Sequence, residues 1–277
     1  MTYAPIGVFD SGYGGLTVLK ELVDTLPEYD FLYLGDNART PYGTRSFDVV
    51  YKYTLQCVKY LFEQGCPLII IACNTASAKA LRNIQMLDLP TLAPDNRVLG
   101  VIRPSVEKVA EITQNGHVGV LGTVGTVTSE SYPIELEKWS GGRVISTVQE
   151  ACPMWVPIVE NNEIDTEGAD FFVKKNILNI LQKDKDIDTL ILGCTHYPLL
   201  EKLIRKYVPE EIEILKQGHI VAEKLVDYLE RHPEMKLRLS AGGKIEYQTT
   251  ESAETFESKA SIFMGQEVRA STVVLHD

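Results

Sequence analysis

The sequence predicts an α/β protein of two pseudo-symmetric three-layer domains with mainly parallel sheets and an active site in the cleft between them. Three observations predict it. Short continuous apolar runs at 6–9, 31–34, 68–71, 118–121 and 189–192 are bounded by turn residues, as parallel strands covered on both faces are. Two of these runs end in the same way, in Ala72-Cys73-Asn74-Thr75 and in Gly193-Cys194-Thr195-His196: a small residue, a cysteine, then a hydroxyl-bearing residue before a helix. The order of strand, small-polar loop, helix and later strand ending in cysteine therefore occurs twice, from residue 6 to Cys73 and from 118 to Cys194, with 118–123 matching 6–11 position by position.

The first run leads into Asp10-Ser11-Gly12-Tyr13-Gly14-Gly15, a glycine-rich turn opening a helix to about Asp24. Its glycines let backbone approach a ligand closely. It lacks the GxGxxG spacing of a dinucleotide site and the lysine of a P-loop, so nucleotide binding is not expected. Asp10 reads either as a ligand-side acid or as a helix cap. The second strand, 31–34, enters the loop 35–43, which holds Arg39, Pro41, Tyr42 and Gly43 and reads either as a functional loop or as a connector with an exposed Arg and Tyr. Helical spacing of Val49, Val50, Tyr53, Cys57 and Leu61 predicts a helix over 46–64 stopped by Gly65, with Cys57 in the core.

An Ala-rich helix to about Leu87 follows Cys73, and Pro94-Asp95-Asn96 marks the crossing to a second domain. Strands at 98–102 and 118–123 bracket a helix that starts near Pro104 and ends at the Asn115-Gly116 turn. A helix over 129–138, a strand over 144–148, a segment running from Cys152 to Glu160 and a helix over 167–182 precede the Cys194 strand. After Cys194 a helix ends before Pro209. The tail reads as a strand at 213–215, a helix at 219–229, and strands at 245–249 and 268–275 around a last helix. The expected domains are 1–97 with 208–277, carrying Cys73, and 98–207, carrying Cys194.

With 277 residues, 44% hydrophobic and 23% charged, the composition is that of a globular chain long enough for two domains. A net charge of -11 argues against nonspecific attraction to nucleic acid. No charged leader precedes an apolar segment at Met1–Pro5, and no apolar run approaches the ~20 residues of a membrane helix, so a cytoplasmic protein without membrane contact is expected. The five cysteines are odd in number and contain no CxxC pair for zinc or dithiol redox chemistry, which predicts reduced thiols.

Each cysteine of the repeat sits at a strand's C-terminal end, the edge of an open α/β sheet where ligands bind. The helix N-terminus there favours thiolate over thiol. Taken alone, either cysteine is read equally well as a small buried hydrophobe. Two in matching positions, on domains whose edges face each other, would place thiols on opposite sides of one ligand. That arrangement suits inversion at carbon, because a racemase without a cofactor removes a proton from one face of Cα and returns one to the other.

Five blocks, 7–12 with 14–18, 35–43, 72–78, 122–123 with 126, and 193–200, resemble the bacterial glutamate racemases of the cofactor-independent aspartate/glutamate racemase superfamily. The resemblance implies interconversion of L- and D-glutamate without pyridoxal phosphate or metal, supplying D-glutamate for peptidoglycan, by a homodimer. It implies that Cys73 and Cys194 are the two acid/bases, one thiolate and one thiol, with Asp10 assisting Cys73, His196 assisting Cys194, and Glu160 a further helper. For Glu160 an exposed helix glutamate is the alternative, with Glu163 nearby. For His196 it is an ordinary hydrogen-bonded histidine.

Substrate contacts are expected from Asp10, Ser11, Pro41, Tyr42, Gly43, Asn74, Thr75, Thr123, Thr126, Thr195 and His196, with Arg39 the one cation among these loops. Neutral donors at helix N-termini hold carboxylates without lysine or arginine, and Asp10 suits an ammonium. The chain departs from the family pattern at Gln217-Gly218 and at Arg103-Pro104-Ser105. Two rivals stay open: a relative acting on aspartate or another acidic amino acid, and a binding module clamping an amino acid or a protein such as a topoisomerase, which needs neither thiol. The missing CxxC disfavours a thiol oxidoreductase.

Overall fold

Continuous apolar strands need cover on both faces, and alternate residues of each run point to opposite faces of a sheet. The computed structural model of the chain, which describes residues 4–276, resolves these runs into two sheets. The strands are β1 (Ile6–Asp10), β2 (Phe31–Gly35), β3 (Leu68–Ile71), β4 (Arg97–Gly100), β5 (His117–Gly122), β6 (Ser146–Ala151), β7 (Thr189–Gly193), β8 (Glu213–Leu215), β9 (Ile245–Thr249) and β10 (Ala270–Thr272). The first sheet runs β10-β9-β2-β1-β3-β4 and the second β6-β5-β7-β8, and the pairings are parallel throughout. The order β2-β1-β3-β4 is thus repeated by β6-β5-β7-β8.

Ile6, Val8, Tyr33 and Ile70 pack on one face of the first sheet with the helices Leu16–Thr25 and Gln217–Arg231, while Phe9, Leu34, Ile69 and Ile71 pack on the other with Phe47–Glu63. The second sheet divides the same way: Val118, Val120 and Ile191 face Ile102–Ile112, and Leu121, Leu190 and Leu192 face Glu167–Lys183. Register aligns the strand exits. Asp10 pairs with Gly35, Phe9 with Ile71, and Gly122 with both Ala151 and Gly193, so the repeat's loops emerge together at one edge of each sheet.

The helix Ile102–Ile112 carries the chain from the first sheet to the second, and Gln217–Arg231 follows the last strand of the second on the way back. The latter serves both cores, with Ile220 in the second and Val221, Leu225 and Leu229 in the first. Sheet membership differs from the expected division at both crossings: β4 belongs to the first sheet and β8 to the second.

The helix expected from Cys73 to Leu87 is broken. It runs as Asn74–Lys79 and Leu81–Asn83, then a π-helical turn over Ile84–Asp88, then Leu89–Leu92. Pro90 has no N–H to continue an α-helical ladder, and a π turn before it absorbs the mismatch. The strand expected over 268–275 shortens to β10. Among the described residues no helix is long and apolar enough to cross a membrane. Met1–Tyr3, part of the leader reading, lie outside the described residues.

Candidate active site

β3 stops at Ile71, and Ala72 extends its pairing through an N–H bond to Phe9 O at 2.8 Å. Cys73 then caps the helix Asn74–Lys79: its sulfur accepts the Ala76 N–H at 3.4 Å and lies 3.3 Å from Ser11 Oγ. Burial pushes this thiol up to about 12 and the neighbouring Asp10 adds to the rise, while the Ser11 and Ala76 bonds only oppose it. The helix end expected to favour a thiolate is outweighed, because a buried anion beside another anion costs more than one N–H returns. Asp10 is itself buried, with Oδ2 accepting the Gly12 N–H at 2.9 Å. Burial raises its pKa, opposed by His196 and by the N–H groups of Gly15 and Gly12.

On the other side β7 ends at Gly193 and the chain turns through Cys194, Thr195 and His196. His196 Nδ1 lies 3.8 Å from Cys194 Sγ, and Nε2 lies 3.0 Å from Glu160 Oε1 at the end of the helix Trp155–Glu160. Burial disfavours the imidazolium, but the Cys194 and Glu160 contacts outweigh it and lift His196 to about 10. Glu160 is therefore no exposed helix glutamate; its side chain is 16% accessible and tied to the ring, while Glu163 is exposed.

Both sulfurs open on one cavity of about 290 Å³. Of the expected residues, Ser11, Pro41, Tyr42, Gly43, Cys73, Asn74, Thr75, Thr123, Glu160, Cys194, Thr195 and His196 line it. Asp10 and Thr126 stand behind that lining, Thr126 3.1 Å from Thr123 and 3.5 Å from Thr75. Two expected contacts have polar partners within the protein. The Tyr42 hydroxyl is turned from the cavity to donate to buried Asp36, and the Asn74 amide is engaged with Gln217 and Tyr132.

Arg39, the expected cation, is not part of the lining. Asp36 holds it at 2.6 and 2.9 Å, it bonds Gln56, and its guanidinium lies 4.2 Å over the Tyr53 ring. A carboxylate in the cavity thus meets hydroxyls and backbone rather than an arginine. Asp36 fastens the loop 35–43 from behind, also accepting from Thr250 at 2.9 Å.

The sequence reading missed the far wall, Cys152, Pro153, Val156, Pro157 and Asn161. The signal was the repeat itself. β6 takes the place of β2, so its exit loop corresponds to the loop 35–43. Cys152 adds a third thiol, which burial pushes well above its ordinary range.

Contacts from both sheets close the cleft: Gly125 N–H to Gly43 O at 2.7 Å, Thr75 Oγ1 to Thr123 Oγ1 at 2.9 Å, and Thr17 Oγ1 to Thr195 O at 3.0 Å. A wider depression of about 530 Å³, lined by Asn115, Asp186 and Asp188 among others, lies at the opposite, N-terminal ends of β5 and β7. That is the wrong edge for a site of this sheet class. Near it His117, Asp184 and Asp186 bring potential metal-ligand atoms within 4.8 Å of one another, with His117 already paired to Asp184 at 2.8 Å.

Comparison with known proteins agrees with this geometry. The model of the Asp/Glu/Hydantoin racemase family matches residues 6–225. The chain is 38% identical over 271 residues to a glutamate racemase of Persephonella marina, covering 98% of this chain and 97% of the relative. The structure superposes on a Bacillus anthracis glutamate racemase isoform with a TM-score of 0.88 at 35% identity, covering 99% of each chain. It superposes on the Francisella tularensis glutamate racemase in complex with D-glutamate with a TM-score of 0.86 at 31% identity, covering 99% and 98%. Two thiols on one closed cavity, at matching exits of a repeated sheet, are thus held within a chain that belongs to the Asp/Glu/Hydantoin racemase family and is an amino-acid racemase.

Proposed function

We propose that this racemase interconverts L- and D-glutamate with Cys73 and Cys194 as its two acid/bases. The observation that carries the reading is that two cysteines, each with its own polar partners, open on one cavity closed by both halves of the repeat. In one direction the Cys194 thiolate takes the Cα proton and the Cys73 thiol delivers its own to the opposite face; in the other the roles exchange. The His196 imidazolium is the counter-charge for a thiolate on Cys194, and Glu160 holds the ring. Asp10, from behind the lining, keeps Cys73 a thiol and places a carboxyl on the substrate's ammonium side. Ser11, Asn74, Thr75, Thr123 and Thr195, with backbone at Pro41–Gly43, receive the carboxylates, and Thr126 backs Thr75 and Thr123. No cofactor or metal enters these steps. The two sheets with their helices act as domains that open and close on substrate. We further propose a cytoplasmic homodimer that supplies D-glutamate for peptidoglycan.

Purified protein free of pyridoxal phosphate, incubated with L-glutamate in D2O, is expected to lose optical rotation while deuterium enters Cα. A parallel run with aspartate fixes the substrate. Binding of glutamate with neither change would make the chain a clamp without turnover.

The Cys194–His196 pair carries its own test. The His196 C2–H resonance, assigned with His196→Gln, should hold its imidazolium position through neutral pH and titrate with a midpoint near 10. Glu160→Gln should lower that midpoint by removing the charge on Nε2. Racemisation falls as pH rises through the midpoint, because the imidazolium is the acidic form. A midpoint near the ordinary 6.5 would mean that no ion pair forms.

A further inference from the structure

We propose that Gln217 is a positioning residue for Asn74, acting through a closed ring of buried hydrogen bonds that ties both interdomain crossings to the cavity wall. The proposal rests on the glutamate racemase reading and extends it to a residue outside the cavity. Three side chains form the ring. Gln217 Nε2 donates to the Tyr132 hydroxyl at 2.8 Å, that hydroxyl donates to Asn74 Oδ1 at 2.7 Å, and Asn74 Nδ2 donates to Gln217 Oε1 at 2.6 Å. Each member gives one hydrogen bond and takes one, and all three are at most 3% exposed.

Gln217 Nε2 also reaches Ser105 Oγ at 2.8 Å and Val101 O at 3.2 Å, and Ser105 donates to Val101 O at 2.8 Å. Ser105 and Gln217, one from each crossing between the sheets, therefore touch each other.

The three ring members and Ser105 come from four parts of the chain. Asn74 follows Cys73 at the exit of β3, Tyr132 lies on Ser131–Trp139 beside the second sheet, Ser105 lies on the outward crossing, and Gln217 begins the returning helix. A fully satisfied buried ring of this kind fixes orientation, because any member that turns leaves its neighbours unpaired away from water. Asn74 Nδ2 carries two hydrogens and the ring takes one, so the ring sets where the other points. Asn74 lines the cavity. Gln217 thereby orients a substrate-side amide it never shares with the substrate.

The test is a double-mutant cycle on glutamate racemisation. Gln217→Leu should raise KM about tenfold, with kcat changed less than about threefold, since it unfixes a binding group rather than a proton-transfer group. In an Asn74→Ala background the same substitution should leave KM unchanged within about twofold, because the amide it orients is gone. If Gln217→Leu does not fold, Tyr132→Phe removes one hydroxyl from the ring while keeping the core's shape. It should raise KM less, and again only when Asn74 is present. Additive KM effects, or a change in melting temperature with no change in KM, would overturn the proposal and leave Gln217 a structural residue. Wild-type turnover is measured first: if it fails, the glutamate reading falls and not the ring.

Discussion

Alanine at either Cys73 or Cys194 is expected to lower racemisation by at least about 10³-fold, the upper part of what one positioned acid or base contributes. Each step needs a proton taken on one face and a proton given on the other, so neither thiol compensates for the other's loss. Both sulfurs are on the cavity wall and each residue is 6% exposed, so deleting one enlarges an existing space and disturbs little packing. Melting temperatures should accordingly stay close to that of the wild type. The single variants should also differ from dead enzyme in one informative way. A remaining thiolate can remove the Cα proton of the enantiomer that presents it and return a deuteron to the same face. Each variant therefore exchanges Cα–H slowly in one enantiomer, and the two variants choose opposite enantiomers. Near-normal racemisation by either variant would sink the two-base assignment, and exchange of the same enantiomer by both would sink the opposite-face geometry.

The contrast between the two thiols sharpens this expectation. Cys73 is held as a thiol up to about 12 by burial and by Asp10, whereas Cys194 stands beside an imidazolium that persists to about 10. The surroundings of the two sulfurs are thus asymmetric: Cys73 lies beside the Asp10 carboxyl and Cys194 beside the His196 imidazolium, so the two sides of the cavity differ in charge.

How much of this was legible in the sequence follows from what repeats and what does not. Strand periodicity and the doubled cysteine exit gave the two sheets and their shared edge, because apolar runs and small residues record burial directly. The same repeat has a further consequence: with β6 in the place of β2, the segment from Cys152 to Asn161 reaches the site. Side-chain direction was not legible. Arg39 and Tyr42 sit in a site-forming stretch, yet their polar ends turn to Asp36 in the same loop, and Asn74 binds Gln217, 143 positions away, and Tyr132. Which way the loop side chains turn, and the long-range pairs of Asn74, are set by packing that no local pattern encodes. The π turn ahead of Pro90 was written in that proline but competed with strong helix formers around it. Glu160 was ambiguous because its meaning comes from His196, which only folding brings to it.

Gly14→Ala is expected to lower kcat/KM by about 10²-fold, the penalty that a displacement of about 1 Å in a catalytic group exacts. Gly14 lies where the loop after β1 meets the loop after β7. A Cβ built there falls 2.3 Å from Thr195 Oγ1 and 2.4 Å from His196 Nδ1. His196 cannot yield without cost, since the same ring is held by Cys194 on one nitrogen and Glu160 on the other. Thr195 is pinned as well, its carbonyl accepting from Thr17. The methyl group must therefore move His196 off the thiol or pry the two halves of the cleft apart. Either outcome lowers the His196 titration midpoint along with the rate, which separates this mechanism from simple loss of stability. Gly168→Ala is the control: its Cβ meets nothing nearer than Thr166 Oγ1 at 3.7 Å, and alanine there suits the helix Glu167–Lys183. If Gly14→Ala leaves both the rate and the His196 midpoint unchanged, the loop after β1 does not set the histidine, and the close approach of the two strand exits serves packing rather than proton transfer.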